Sequence, residues 1–292
     1  MRNPFRPRDE ELGRAATLAL RLTAIILLLQ PAPVWYLRPI LISLAVLVVA
    51  VPAILRTPAA WGAMAILLAV RVVRLWPTPD NHHYLYVYWT LAIFLALLAL
   101  RPGVVLGRAA RWLVVGVFLW ATLWKGLLSP DYLDGRFYRV RLLTDHRFAE
   151  ATRLVGDLTA EQIEGARAYL KPAPYGEPNS QMPRLVESPG VHRLATFLTW
   201  ATLLIEGAVA LAFLLPWGRH TLVVRHGALF AFCGSAYAIA PVAGFGWILC
   251  AMGVAQVPDN RRGLLLAYVF VFLLLRFYLD VPWERFLLAI RA

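Results

Sequence analysis

Of the 29 basic residues in this chain, 27 are arginine and only Lys125 and Lys171 are lysine. Arginine stays protonated in any protein setting, whereas a desolvated lysine amine can lose its proton and act as a base. Lys125 ends the apolar run WLVVGVFLWATLW. Such an amine either snorkels to headgroups beside Trp120 and Trp124, or turns into a helix bundle, where an acidic partner would hold it ready for proton abstraction. Glu206 lies in the middle of FLTWATLLIEGAVALAFLLP. A lone charge at membrane depth costs at least ~2.5 kcal/mol on insertion scales, so this carboxyl needs a proton or a partner, with Lys125 and Arg21 as candidates. The third group is DNHHYLYVYW, residues 80 to 89. There Asp80 or Asn81 could cap a helix, Tyr84, Tyr86, Tyr88 and Trp89 suit an interfacial aromatic belt, and His82 or His83 could exchange protons near neutral pH. Cys233 and Cys250 sit in apolar stretches without CxxC spacing or a histidine cluster, which reads as buried thiols and no metal site.

The elements that must position these groups follow from composition. The 292 residues are 60% hydrophobic and 16% charged, with mean hydropathy +0.62, more apolar than a soluble domain can hide. The expected fold class is all-α, a polytopic transmembrane helix bundle in the cell membrane. Segments of ~20 apolar residues suit a hydrocarbon core of roughly 30 Å. They fall at 15 to 29, 37 to 55, 58 to 76, 84 to 100, 109 to 128, 192 to 215, 222 to 239, 242 to 257 and 262 to 279; the eighth is short, so eight spans is the alternative to nine. The net charge of +12 comes from arginines placed mainly at segment ends, a membrane pattern that does not call for nucleic acid. Nine spans with a cytoplasmic amino terminus put Arg2, Arg6, Arg8, Arg14, Arg56, Arg101, Arg108, Arg111, Arg219, Arg225, Arg261 and Arg262 inside. Arg38, Arg71, Arg74, Arg276, Arg285 and Arg291 then lie in short outer segments, and the imbalance sets the orientation.

The organisation expected is a cytoplasmic segment 1 to 14, the bundle from 15 to 279, an outward loop at 129 to 191, no separate soluble domain, and an interfacial tail at 280 to 292. Within the loop, Thr159 followed by Gln162 predicts one capped short helix. Prolines between Lys171 and Pro189 predict an extended strap. The tail VPWERFLLAIRA would lay Trp283, Phe286, Leu287 and Ile290 toward lipid.

Three segments, in order, resemble the horizontally transferred transmembrane (HTTM) domain, the membrane part of vitamin K-dependent gamma-glutamyl carboxylase. DNHHYLYVYW is similar to its asparagine-histidine motif before a membrane helix, through Asn81, His82, Tyr84, Leu85 and Tyr86. FLWATLWKGLLSPDYLDG resembles its lysine-ended helix through Lys125, Asp131, Tyr132 and Gly135. LTWATLLIEGAVALAFLLP, followed by RHTLVVRHGALFAFC and GFGWILCAM, is similar to its acidic helix and the next two spans, with Glu206 on the acidic position. The resemblance implies Lys125 as the base that deprotonates reduced vitamin K or another quinone, His82 as an assisting proton-transfer group, and Glu206 as the third catalytic residue. It also implies a carboxylase or lyase-like membrane enzyme that acts on a small exported protein or peptide partner. Near Cys233 the family pattern has a histidine, whereas Phe232, Cys233 and Gly234 stand here. The sequence reaches Ala292 without the large region that holds propeptides in the carboxylase, which argues against peptide carboxylation. A transporter or permease, with Glu206 and basic residues lining a path, and a non-catalytic membrane subunit are the alternatives. No inverted repeat favours transport.

Overall fold

The computed structural model describes residues 12–30, 34–77, 80–169, 188–216, 218–239 and 242–280. In chain order the elements are α1 (Arg14–Leu29), α2 (Leu37–Ala50), α3 (Pro52–Leu55), α4 (Pro58–Leu75), α5 (Asn81–Leu98), α6 (Pro102–Leu123) and a π-helical turn at Trp124–Leu128. There follow α7 (Pro130–Leu133), α8 (Arg136–Thr144), a 3-10 turn at His146–Phe148, α9 (Ala149–Val155), α10 (Ala160–Tyr169), α11 (Pro189–Leu214), α12 (Arg219–Ile239), α13 (Ala243–Val254) and α14 (Arg262–Asp280). No strand occurs among the described residues. Proline opens α3, α4, α6, α7 and α11, where its missing N–H is harmless and its fixed φ suits the first turn.

Among the described residues, three helices are long and apolar enough to cross a membrane: Pro58–Leu75, Pro102–Leu128 and Pro189–Leu214. Only 39%, 39% and 44% of their apolar windows are buried inside the protein. The rest faces outward, with Leu204 71% and Leu211 65% exposed on α11, and such surfaces require an apolar surrounding. Each of the nine apolar segments lies on helix. The second is interrupted, because Val51 is extended and Pro52 starts a new turn. The eighth is α13, 12 residues long, which at 1.5 Å per residue spans only about 18 Å. It is the bundle's central helix, and its chain is buried continuously from Trp247 to Val257. Gly253 permits this packing, since a Cβ there would collide with the Tyr268 ring of α14.

Two apolar cores share α11. The main core joins α1, α2, α4, α5, α6, α12, α13 and α14 to the far end of α11 from Val209 onward. A second core gathers Tyr132, Tyr138, Leu142, Leu143, Phe148, Leu158 and Ile163 against Val191, Leu194, Ala195 and Leu198 at the start of α11. This corrects the expectation of one short helix in the 129 to 191 loop: α7 to α10 form a small helical cap with its own apolar interior. The sequence signal was weak because its elements are only four to ten residues long and become amphipathic only against α11. The Thr159 cap itself is present and reciprocal, with Thr159 N–H donating to Gln162 Oε1 at 2.8 Å and Gln162 N–H to Thr159 Oγ1 at 3.2 Å. The strap at 171 to 187 and the tail from 281 lie outside the described residues.

Within the cap, Asp145 receives Arg147 N–H at 3.1 Å, Nε at 3.0 Å and Nη2 at 2.6 Å, with Arg141 3.7 Å away. Burial pushes its carboxyl up, but these hydrogen bonds and charges outweigh burial and hold it below the usual carboxylate value. A depressed folded pKa contributes stability that is complete above the unfolded pKa of about 3.9 and is lost as pH falls through the lower folded value. Amide hydrogen exchange in α8 and α9 is therefore expected to accelerate below about pH 4. Asp145→Asn should remove that acid dependence; an unchanged acid profile in the variant would assign it to another group.

Two arginines close the opposite end of α11. Arg111 donates through Nε to the Phe213 carbonyl at 2.7 Å and through Nη2 to Leu214 and Leu215 at 3.1 and 2.6 Å. Arg225 donates to the carbonyls of Ala212 and Leu215. The last carbonyls of a helix have no intrahelical partner, and the helix dipole favours cations there.

Candidate functional site

Lys125 lies in the π-helical turn that prolongs α6. Its Nζ is 2.5 Å from Glu206 Oε1 on α11, with side-chain exposures of 22% and 10%. The amine therefore turns inward, away from headgroups, while Trp120 and Trp124 remain exposed. Arg21 is exposed on α1, and Lys125 takes the place as partner of Glu206. Glu206 is eight residues from the last residue of α11, or about 12 Å at 1.5 Å per residue. Glu206 Oε2 is buried without a hydrogen-bond partner.

The cap covers this pair. Lys125 Nζ stands 5.3 Å from the centroid of the Tyr132 ring, within cation–π range. Tyr132 donates its hydroxyl to Tyr138 at 3.1 Å, and Tyr138 pairs with Thr202 Oγ1 at 2.8 Å. Thr202 is one turn before Glu206 on the same face of α11. Burial pushes both phenols above the ordinary tyrosine value, so they remain neutral hydrogen-bonding groups. Tyr138 and Thr202 escaped the sequence reading. The i, i+4 spacing of Thr202 and Glu206 was the available signal.

His82 belongs to a second polar cluster, at the start of α5. Its ring is 4.3 Å from that of His83 and meets Tyr86 edge-on at 5.9 Å. Tyr86 donates its hydroxyl to the Gly244 carbonyl. Gly244 gives α13 its close approach: a Cβ there would come within 2.9 Å of His82 and of Gln30 Nε2. Arg71, assigned by the sequence to an outer segment, is only 4% exposed and points into this cluster. Its Nη2 lies 3.0 Å from His83 Nε2, and its Nη1 donates to Gln30 Oε1 at 3.5 Å. An arginine near the end of an apolar segment reads as an interfacial anchor, and only packing turns it inward. Asp80 occupies the helix-cap position of α5 without a side-chain capping bond, which corrects the capping expectation at that residue.

Asp80, His82 and His83 bring ligand-type atoms within 4.8 Å of one another. A guanidinium only donates, so His83 Nε2 accepts from Arg71 and its proton sits on Nδ1. That occupied lone pair and the adjacent positive charge oppose a metal cation. The structure thus joins Lys125 to Glu206 and places His82 among Gln30, His83, Tyr86 and Gly244.

Fold and site together define a protein that is helical throughout its described residues, with three helices long and apolar enough to cross a membrane and a charged pair held inside its bundle. Comparison of the chain with protein-family models, with curated proteins and with solved structures returned no match.

Proposed function

We propose that this chain is an HTTM-type protein of nine spans with a cytoplasmic amino terminus, in which Lys125 and Glu206 form the proton acceptor for a quinol-like, lipid-soluble substrate. The observation that carries this reading is the 2.5 Å contact between Lys125 and Glu206, together with the unpartnered second oxygen of that carboxyl. A lysine facing a carboxylate is an ammonium and no base. It becomes one when the shared proton resides on Glu206: the neutral amine then takes one hydroxyl proton from the substrate, and the ammonium formed stabilises the resulting quinolate. Resemblance alone gives His82 its assisting role. The cap over the pair is the surface on which a small exported partner would rest. The twelve-to-six arginine imbalance supports the orientation.

A water-soluble naphthoquinol, added anaerobically to the purified protein, is expected to show the absorbance of its anion with the wild type. Lys125→Arg and Lys125→Ala should both abolish it at equal protein levels, because arginine does not surrender its proton. Full function of the arginine variant would refute proton abstraction. It would leave the pair as a clamp between α6 and α11 in a non-catalytic subunit.

A further inference from the structure

The ring that stands over Lys125 is carried by a short element. Of the four residues of α7, Pro130, Asp131 and Leu133 are exposed, and only Tyr132 is buried. Before α7, Ser129 at φ −125° and ψ 84° breaks the helical backbone after the π-helical turn. After it, Gly135 at φ +76° is left-handed, a conformation that strains residues with a Cβ. Crowding is not the reason for glycine there, since a Cβ would meet nothing closer than 3.8 Å. Two breaks in the helical backbone thus bracket α7, and hinges of this kind let a short turn move as a unit without unwinding its neighbours.

Few contacts hold Tyr132 down. Thr199 Oγ1 reaches its carbonyl at 3.4 Å, a long contact, because the same hydroxyl also points to the Ala195 carbonyl at 2.9 Å. Arg136 pairs with Asp131 and Asp134, both at 2.9 Å, but all three side chains are exposed and such pairs contribute little. The stronger tie runs through hydroxyls, from Tyr132 to Tyr138 at 3.1 Å and from Tyr138 to Thr202 Oγ1 on α11 at 2.8 Å. Beneath the ring, Glu206 Oε1 and the Tyr132 face occupy two sides of Lys125 Nζ. A reactant must bring an atom to about 3 Å of that nitrogen.

We propose that α7 is a lid over Lys125, with Tyr132 as its closing ring and the Tyr138–Thr202 hydrogen bond as its latch. The amine becomes reachable when α7 swings out about Ser129 and Gly135. As the step that admits a quinol-like substrate, the lid rests on the role proposed above for Lys125; as a motion, it does not.

Lys125 and Lys171 are the only lysines, so in a Lys171→Arg background peptide mass spectrometry reads acetylation of Lys125 by a membrane-permeant succinimidyl ester, with no quinol present. Thr202→Val is expected to speed this labelling about fivefold, the scale of one lost hydrogen bond. Tyr138→Phe, which also leaves the Tyr132 hydroxyl without its acceptor, should speed it at least as much, and the double variant should match Tyr138→Phe. Thr202→Ser keeps the hydroxyl and should keep the wild-type rate. Amide hydrogen exchange should accelerate at residues 131 to 135 and hold in α8 and α11. Wild-type labelling rates in both Thr202→Val and Tyr138→Phe overturn the lid. Acceleration accompanied by lost protection throughout α8 and α10 does so too, since the cap would then be unfolding as a whole. Because the labelling needs no quinol, a responsive lid in a protein that yields no quinolate absorbance refutes only the base reading, and quinolate formation with unresponsive labelling refutes only the lid.

Discussion

Lys125→Met is expected to cost the bundle about 3 kcal/mol, and adding Glu206→Leu to it is expected to recover most of that loss. The single change leaves Glu206 buried with neither oxygen partnered, since Oε2 already lacks a hydrogen bond and Oε1 has Lys125. An uncompensated charge of this kind must take up a proton or pull water in. The double variant replaces both groups by apolar ones and leaves no buried charge without a partner. Glu206→Leu alone should cost less, because the remaining lysine is 22% exposed and its flexible stem can carry the amine outward. Unfolding in mixed micelles, followed by tryptophan fluorescence, gives the ordering. A double variant no more stable than Lys125→Met would mean that Lys125 supports the bundle through its own packing and that Glu206 is content without it.

The second large effect is expected at Arg111. Replacing it by leucine removes three charge-assisted hydrogen bonds to the last carbonyls of α11, which Arg225 meets only in part. Hydrogen bonds to charged groups contribute ~1.5–3 kcal/mol each but are not additive where one side chain makes several, so a loss of about 3 kcal/mol is expected. Lysine should rescue little, since one ammonium cannot reach three carbonyls in the geometry of a planar fork. The unfolding midpoint of the purified variants decides this, and equal midpoints for Arg111→Leu and wild type would show that Arg225 suffices. Because α11 also carries Glu206, Arg111→Leu is expected to loosen the Lys125 contact as well, visible as faster cross-linking of that amine by a membrane-permeant acylating reagent.

That the nine apolar segments would be helical was legible in the sequence, because apolar runs are a local property; only three of the helices, among the described residues, are long and apolar enough to cross a membrane. Arginines, placed mainly at segment ends, marked where the segments stop. The cap was nearly invisible: α7, α9 and the turn at His146–Phe148 are too short to show a period. Thr159 and Gln162 could be read, since a capping box depends only on residues three apart. Lys125 and Glu206 were recognisable as groups needing partners, but their pairing is a fact of α6 lying antiparallel to α11. Arg71 was misplaced for the complementary reason. Arg71 and Arg74 are three residues apart and look alike in sequence, yet Arg71 faces Gln30 and His83 while Arg74 is exposed.

By itself the sequence determined an all-helical chain of lipid-compatible segments and singled out a lysine and a carboxylate too costly to leave alone. Which side chains meet was decided by tertiary structure, because the rotation of each helix about its axis depends on its neighbours. That rotation turned Arg71 inward and set Lys125 on Glu206.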